Sequence, residues 1–199
     1  MAPALLGCVL LAGGVGVRLV EVEAYEGADD PASHAFRGPT RRNAVMFGPP
    51  GHLYVYQMHG HACCNVVCGP DGLATAVLLR AGEVVAGIEA ARERRPGVRD
   101  GWLARGPGNL TRALGISTAD NGASLLDAGR VRLLPGPTPE SVVAGPRVNV
   151  SRAWDRPWRF TDAASESVSA FKAHPASRAP TPAHPPAAPR PNPRRHTSF

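Results

Sequence analysis

The sequence predicts an α+β domain, and three observations lead there. Short β-rich runs end in Gly and Pro turn signals, at Gly13-Gly14, His59-Gly60 and Gly69-Pro70-Asp71-Gly72. Only two stretches keep helical spacing, and they do not alternate with the strands as a doubly wound sheet requires. A chain of 199 residues with 43% hydrophobic content buries one core, and one domain is expected. That domain is placed at residues 1–174. Residues 175–199, rich in Pro, Ala and Arg and without Asp or Glu, read as a disordered basic tail.

In chain order, Ala4 to Leu11 reads as a short helix or strand entering the Gly13-Gly14 turn, and Val17 to Tyr25 as the strand that returns from it. Strict alternation puts Leu19, Glu21, Glu23 and Tyr25 on one face and Arg18, Val20 and Val22 on the other. Asp29 to Asn43 is a polar loop with His34, Arg37, Arg41 and Arg42. His52 to Tyr56 reads as a strand with His52, Tyr54 and Tyr56 on one side, Met58-His59-Gly60 as a hairpin tip, and His61 to Val67 as the return. Ala74 to Arg80 is apolar on both faces, like a central strand. Val84, Val85, Ile88 and Ala91 keep helical spacing up to Pro96. A second helix begins at Gly106-Pro107 and closes at Gly115. Leu125 to Leu134 and Pro146 to Val150 offer two further strands, and Trp154 to Phe160 an aromatic edge.

The formal charge is +6, and Lys172 is the only lysine, so the cations are almost all arginine. Arginine forks suit phosphate, which makes a polyanion the natural partner; a coding bias toward Arg, Ala, Gly and Pro accounts for the excess equally well. Cys8, Cys63, Cys64 and Cys68 sit in a chain without a convincing secretory signal, so reduced thiols and a cytoplasmic location are expected. No apolar run is long enough to cross a membrane, because Arg18 interrupts the one candidate.

Two carboxylates on one strand face, about 6.6 Å apart along the backbone, can serve acid and base in glycosidic hydrolysis. A solvated strand face is the plainer reading, but an acid inside an apolar strand is costly unless paired, hydrogen-bonded or catalytic. Tyr54 and Tyr56 can pack as core, or Tyr25 and Tyr56 can sandwich a flat ligand. His59, His61 and Cys63 align at alternate positions, yet the spacing lacks paired Cys-x-x-Cys knuckles, so no metal is expected. Gly106-Pro107-Gly108-Asn109 after Arg105 is not a P-loop; as a helix start beside an arginine it can hold a phosphate or be a plain helix start.

Val20-Glu21-Val22-Glu23-Ala24-Tyr25, Ser33-His34, Arg37-Gly38-Pro39-Thr40, Arg42-Asn43, Leu53-Tyr54-Val55-Tyr56, Asn65-Val66-Val67, Leu78-Leu79-Arg80-Ala81, Leu103-Ala104-Arg105-Gly106-Pro107 and Arg156-Pro157-Trp158-Arg159-Phe160 occur in the order of the alkyladenine (3-methyladenine) DNA glycosylase family, bacterial type. The resemblance covers about Leu6 to His174. It implies a curved, mixed or antiparallel sheet with a protruding β-hairpin and surrounding helices. It also implies a monomeric, cofactor-free enzyme of the bacterial nucleoid that flips alkylated or deaminated purines from double-stranded DNA and hydrolyses the N-glycosidic bond.

Residue by residue, the resemblance makes Glu23 the general base. It assigns Tyr25, His34 and Tyr56 to the base pocket, Asn65 to the exclusion of guanine, Arg80 to the active-site lining, His59 to the wedge left in the duplex, and Arg37, Arg42 and Arg105 to the DNA backbone. Neighbouring arginines are expected to hold the Glu23 pKa down. With Lys172 as the single lysine, at the edge of the tail, Schiff-base chemistry is not expected and the enzyme is monofunctional.

The chain departs from the family pattern at three places: it begins where relatives carry a further N-terminal segment, His59 stands where a tyrosine is usual, and the hairpin is one residue shorter between Gly60 and Asn65. The last departure leaves two geometries, one in which Asn65 keeps its place and one in which it turns away. A catalytically impaired lesion-binding protein of the same fold, and more weakly a metal-binding regulator built on His59, His61 and Cys63, are the competing readings.

Overall fold

The computed structural model describes residues 1–178; residues 179–199, most of the predicted tail, lie outside the described part. The strands are β1 (Val9–Ala12), β2 (Val15–Glu26), β3 (Leu53–Met58), β4 (His61–Val67), β5 (Thr75–Ala86), β6 (Val131–Leu134), β7 (Val142–Gly145) and β8 (Arg159–Asp162), with α1 (Ile88–Arg94) and α2 (Pro107–Leu114) as the two α-helices. All strand pairings are antiparallel, in the order β3-β4-β5-β2-β1-β6, with β8 between β2 and β7. The α+β class predicted from the hairpin signals is the observed one.

β2 organises the sheet. One edge pairs with β5 along its length, while the other pairs first with β1 at Val15–Arg18 and then with β8 at Glu21–Glu23. At the changeover the ladder slips twice: Val20 of β2 and Arg80 of β5 are both skipped, so Leu19 faces Gly82, Glu21 faces Ala81, and Val22 faces Leu79. The second slip restores the register. Paired bulges of this kind re-aim side chains without displacing the rest of the strand. They correct the simple alternation expected for this strand: Leu19 joins Val22 in the apolar core, while Glu21 and Glu23 face the other way.

The main core lies between the sheet and the helices, with Leu10, Val17, Leu19, Val22, Leu79, Leu103, Leu110 and Leu114 fully buried. A smaller cluster on the opposite side holds Tyr54, Tyr56, Cys63, Met46 and Leu78, and the site is built on that side. α2 starts at Pro107, as its sequence predicts, and ends where Gly115 takes a left-handed φ of 65°. α1 starts later than expected: Val84–Ala86 finish β5, and the chain turns at Gly87 (φ 69°), where a side chain would meet the Gly14 carbonyl. Two further elements are displaced. Strand structure is confined to Val131–Leu134 within the predicted 125–134 segment, and the strand expected at Pro146–Val150 lies just before it, at Val142–Gly145, where it pairs with β8.

β3 and β4 join through a two-residue turn, His59 (φ 49°) and Gly60 (φ 79°), with Met58 opposite His61 and Tyr54 opposite Asn65. Positive φ at both positions is the turn that matches strand twist. Just behind the turn Thr111 of α2 donates its hydroxyl to the Ala62 carbonyl at 2.7 Å, and Gly108 packs against His61. Past β8 the chain runs back across the sheet as a strap that continues into a 3-10 turn at Pro175–Arg178.

Candidate active site

A cavity of about 590 Å³ opens on the small-cluster side, within the usual range for ligand pockets. Tyr25, His34, Tyr56, Asn65 and Arg80, all singled out in the sequence, line it together with Tyr54, Cys63, Pro107, Val148, Asn149 and Lys172. Asn65 points into the cavity and donates Nδ2 to the Tyr54 carbonyl at 3.1 Å, so the two-residue turn decides for the geometry in which Asn65 keeps its place. His34 packs edge-on against Tyr56 (4.5 Å between centroids) and shares a hydrogen bond of 3.1 Å between Nδ1 and the Tyr54 hydroxyl. Although His34 keeps exposed surface at the cavity mouth, partial burial, together with the charge of Arg42, lowers its pKa below the ordinary histidine value.

Glu23 stands behind this wall, with no exposed surface. Its Oε1 accepts from the Val148 backbone N–H at 2.7 Å; its Oε2 accepts from the Tyr25 hydroxyl at 3.0 Å and lies 3.5 Å from Arg80 Nη1. All three donors belong to residues that line the cavity. Glu21 is bound more tightly: Arg80 Nε at 2.8 Å, Arg159 Nε at 2.7 Å, and the Ser169 N–H and hydroxyl at 2.7 and 2.9 Å all donate to it.

The two carboxyls respond in opposite directions. Burial is the largest influence on both and raises each pKa, but at Glu21 the charges and hydrogen bonds of Arg80 and Arg159 outweigh it and hold the value below the ordinary carboxylate range. At Glu23 burial prevails over Arg80, Val148 and Tyr25, and the pKa is raised. This corrects the expectation that neighbouring arginines hold it down: Arg80 is closer to Glu21, and its charge is already shared.

Beneath Tyr25 lies a second buried pair that the sequence did not disclose. Arg147, fully buried, holds Asp30 with two hydrogen bonds (2.5 and 2.8 Å), and its guanidinium carbon lies 4.6 Å from the Tyr25 ring centroid and 5.2 Å from that of Trp158. Asn149, two residues further on and on the cavity wall, takes a left-handed φ of 56°. Asn43 organises the His34 loop, donating to the carbonyls of His34 and Gly38 and accepting from Thr40.

Of the residues assigned to DNA, His59 is exposed at the hairpin tip beside the exposed Met58. Arg37 and Arg42 are exposed on the His34 loop, and Arg42 ties that loop to the hairpin through the Gln57 carbonyl at 3.0 Å. Arg105 is half-buried: its Nε donates to the Val168 carbonyl at 2.8 Å, and it lies 5.1 Å from the Trp102 ring centroid. Lys172 lines the cavity instead of standing apart in the tail, which changes the premise drawn from its position in the sequence. Among the described residues no three His, Cys, Asp or Glu side chains gather as a metal site, and none of the helices is long and apolar enough to cross a membrane.

The methylpurine-DNA glycosylase family model matches residues 1–166. The chain belongs to the methylpurine-DNA glycosylase family. It is 57% identical over 181 residues to a protein of Nocardia farcinica named "Putative 3-methyladenine DNA glycosylase", covering 86% of this chain and 85% of the relative. Proteins of the same name in Mycolicibacterium fortuitum (56% identity, 89% of this chain and 94% of the relative) and Cutibacterium acnes (54%, 80% and 88%) are similar over comparable spans. As a member of this family the protein is a DNA glycosylase, a hydrolase of N-glycosyl bonds.

Asp30, Arg147, Val148 and Ser169 are site residues that sequence reading did not assign and that stand outside the family motifs; Asn43, Tyr54 and Arg159 stand inside those motifs without an assigned role. The contact of Val148 is made by its backbone, which a side-chain pattern does not reveal.

Proposed function

We propose that this glycosylase is monofunctional and acts on alkylated or deaminated purines (the 3-methyladenine, 7-methylguanine, hypoxanthine and ethenoadenine class) flipped from double-stranded DNA, with Glu23 as the general base. The observation that carries this reading is a fully buried carboxylate whose three donors, Val148, Tyr25 and Arg80, all line an aromatic cavity. A raised pKa suits a base, since proton transfer is most effective when the pKa nears the working pH.

In the step, a water loses its proton to Glu23 and its oxygen bonds C1′ of the flipped nucleotide, while the C1′–N bond breaks and its electron pair leaves with the base. A cationic alkylated purine accepts that pair and departs neutral, whereas a neutral one such as hypoxanthine or ethenoadenine departs as an anion and takes up a proton from water. Tyr56 and the free face of Tyr25 stack on the flipped base, and cation–π attraction favours a cationic one. Asn65 crowds the amino group of normal guanine. His59 fills the gap left in the stack, and Arg37, Arg42 and Arg105 bind backbone phosphates.

Single-turnover release of hypoxanthine or ethenoadenine from a labelled duplex, by wild type and Glu23→Gln, tests this reading. The expected result is release by wild type and almost none by the variant. No release by wild type, with intact salt-dependent binding, would favour a lesion-binding protein instead. Strand cleavage at neutral pH, or borohydride cross-linking that Lys172→Ala abolishes, would overturn the monofunctional assignment.

A further inference from the structure

The strap after β8 docks on the site through a series of polar contacts. Ser165 donates its hydroxyl to Glu83, Ser167 donates to the Gly101 carbonyl at 2.8 Å, the Val168 carbonyl accepts from Arg105, and the Lys172 carbonyl accepts from the Asn149 N–H at 2.8 Å. The family match ends at residue 166, so the residues of this strap that touch the site lie past it.

Ser169 lies at its centre. The hydroxyl donates to Glu21 Oε1 at 2.9 Å and accepts from Arg80 Nη2 at 3.3 Å, while its N–H binds Glu21 and its carbonyl binds Arg159 Nη2 at 2.9 Å. We infer that Ser169 is a positioning residue for the hydrolysis: its hydroxyl fixes the plane of the Arg80 guanidinium, so that Arg80 Nη1 reaches Glu23.

The inference rests on Glu23 being the base. A guanidinium is rigid and planar, so fixing two of its nitrogens fixes the third. Arg80 spends Nε on Glu21, Nη2 on Ser169 and Nη1 on Glu23, and the last contact is the longest at 3.5 Å. Without the Ser169 hydroxyl the plane is free to pivot about Nε, and the Glu23 contact is the first to be lost. The N–H and carbonyl contacts of Ser169 do not depend on its side chain, so the strap stays docked when the hydroxyl is removed. The groups facing Glu23 are then Tyr25 and Val148, which carry no charge, with Glu21 adjacent and Arg147, held by Asp30 beneath Tyr25, as the remaining cation whose charge reaches Glu23.

The test is single-turnover excision as a function of pH for wild type, Ser169→Ala, Ser169→Thr and Glu23→Gln. The acid limb of Ser169→Ala is expected to move up by about half to one pH unit, part of the one to three units that a nearby opposite charge supplies. Ser169→Thr, which keeps the hydroxyl, is expected to return it toward wild type. An acid limb for Ser169→Ala that coincides with wild type, or a Thr variant that behaves like Ala, overturns the inference while leaving Glu23 as base. Full activity in Glu23→Gln overturns the base assignment itself, and the Ser169 assignment with it.

Discussion

Glu21 and Glu23 stand on the same strand and the same face, both without exposed surface, yet their surroundings treat them oppositely. Glu21 receives four donors, two of them arginines; Glu23 receives a backbone N–H, a phenol and the far corner of an arginine already engaged. The first arrangement stabilises a permanent charge, and the second leaves a charge incompletely compensated. A carboxylate whose ionisation is well supported is a poor proton acceptor, which is why the under-supported Glu23 is the proposed base and Glu21 its frame.

The comparison makes its largest prediction at Glu23. Replacing it with Gln is expected to slow single-turnover excision by about 10²- to 10⁴-fold, the usual contribution of a general base. The same variant is expected to unfold at a higher temperature than wild type at pH 7. Because the folded state raises the Glu23 pKa above its ordinary 4.5, the neutral carboxyl favours folding, a contribution present below pH 4.5 and lost as pH rises through the raised value. The advantage of Gln should therefore close as the pH falls toward 4.5. A variant less stable than wild type at pH 7 would show that the two acids are not opposites.

Glu21 provides the reverse case. Glu21→Ala leaves Arg80 and Arg159 facing an empty place, and loss of one partner from a buried ion pair costs about 3–5 kcal/mol, readable by denaturant unfolding. The Glu21 pKa is lowered, so its contribution is present above pH 4.5 and is lost as the pH falls through the lowered value. Unfolding midpoints of wild type and variant should converge in acid.

Tyr25→Phe sharpens the contrast further. It keeps the ring and removes the hydroxyl that donates to Glu23 at 3.0 Å. A hydrogen bond to a charged group is worth about 1.5–3 kcal/mol, so the acid limb of excision should move upward by about a unit or more. Stability at acid pH, where Glu23 is neutral, should change less. The smallest effect is expected at Asn65, which touches neither acid: Asn65→Ala should raise release of normal guanine relative to hypoxanthine by about tenfold, equivalent to ~1.4 kcal/mol. An unchanged ratio would remove Asn65 from the discrimination.

Much of this frame is legible in the sequence because it rests on local rules. His59-Gly60 between β-rich runs, Pro107 and Gly115 at the ends of a helix, and the apolar run of β5 each appear where their residues predict. Tyr25, His34, Tyr56, Asn65 and Arg80, singled out in the sequence, line one cavity. The bulges at Val20 and Arg80 were not legible, since skipping a residue changes no composition and only breaks an assumed alternation. Arg147 reads as an ordinary surface arginine until Asp30 and the Tyr25 ring enclose it. The direction of the Glu23 shift is not legible in the sequence because burial and the nearby donors pull it opposite ways, and the Arg80 distances that weigh between the two acids, 2.8 Å to one and 3.5 Å to the other, are absent from any sequence.

The anchorage of the hairpin has a mechanical consequence. The Ala62 carbonyl is clamped by Thr111, and Gly108 lets α2 sit hard against His61, so His59 projects only a few residues beyond a fixed support. It is a short cantilever, and a short cantilever is stiff. In the proposed wedge role, a duplex pressing on the tip would load α2 and the core behind it before the hairpin bent, so that the energy of insertion would go into unstacking DNA with little dissipated in the protein.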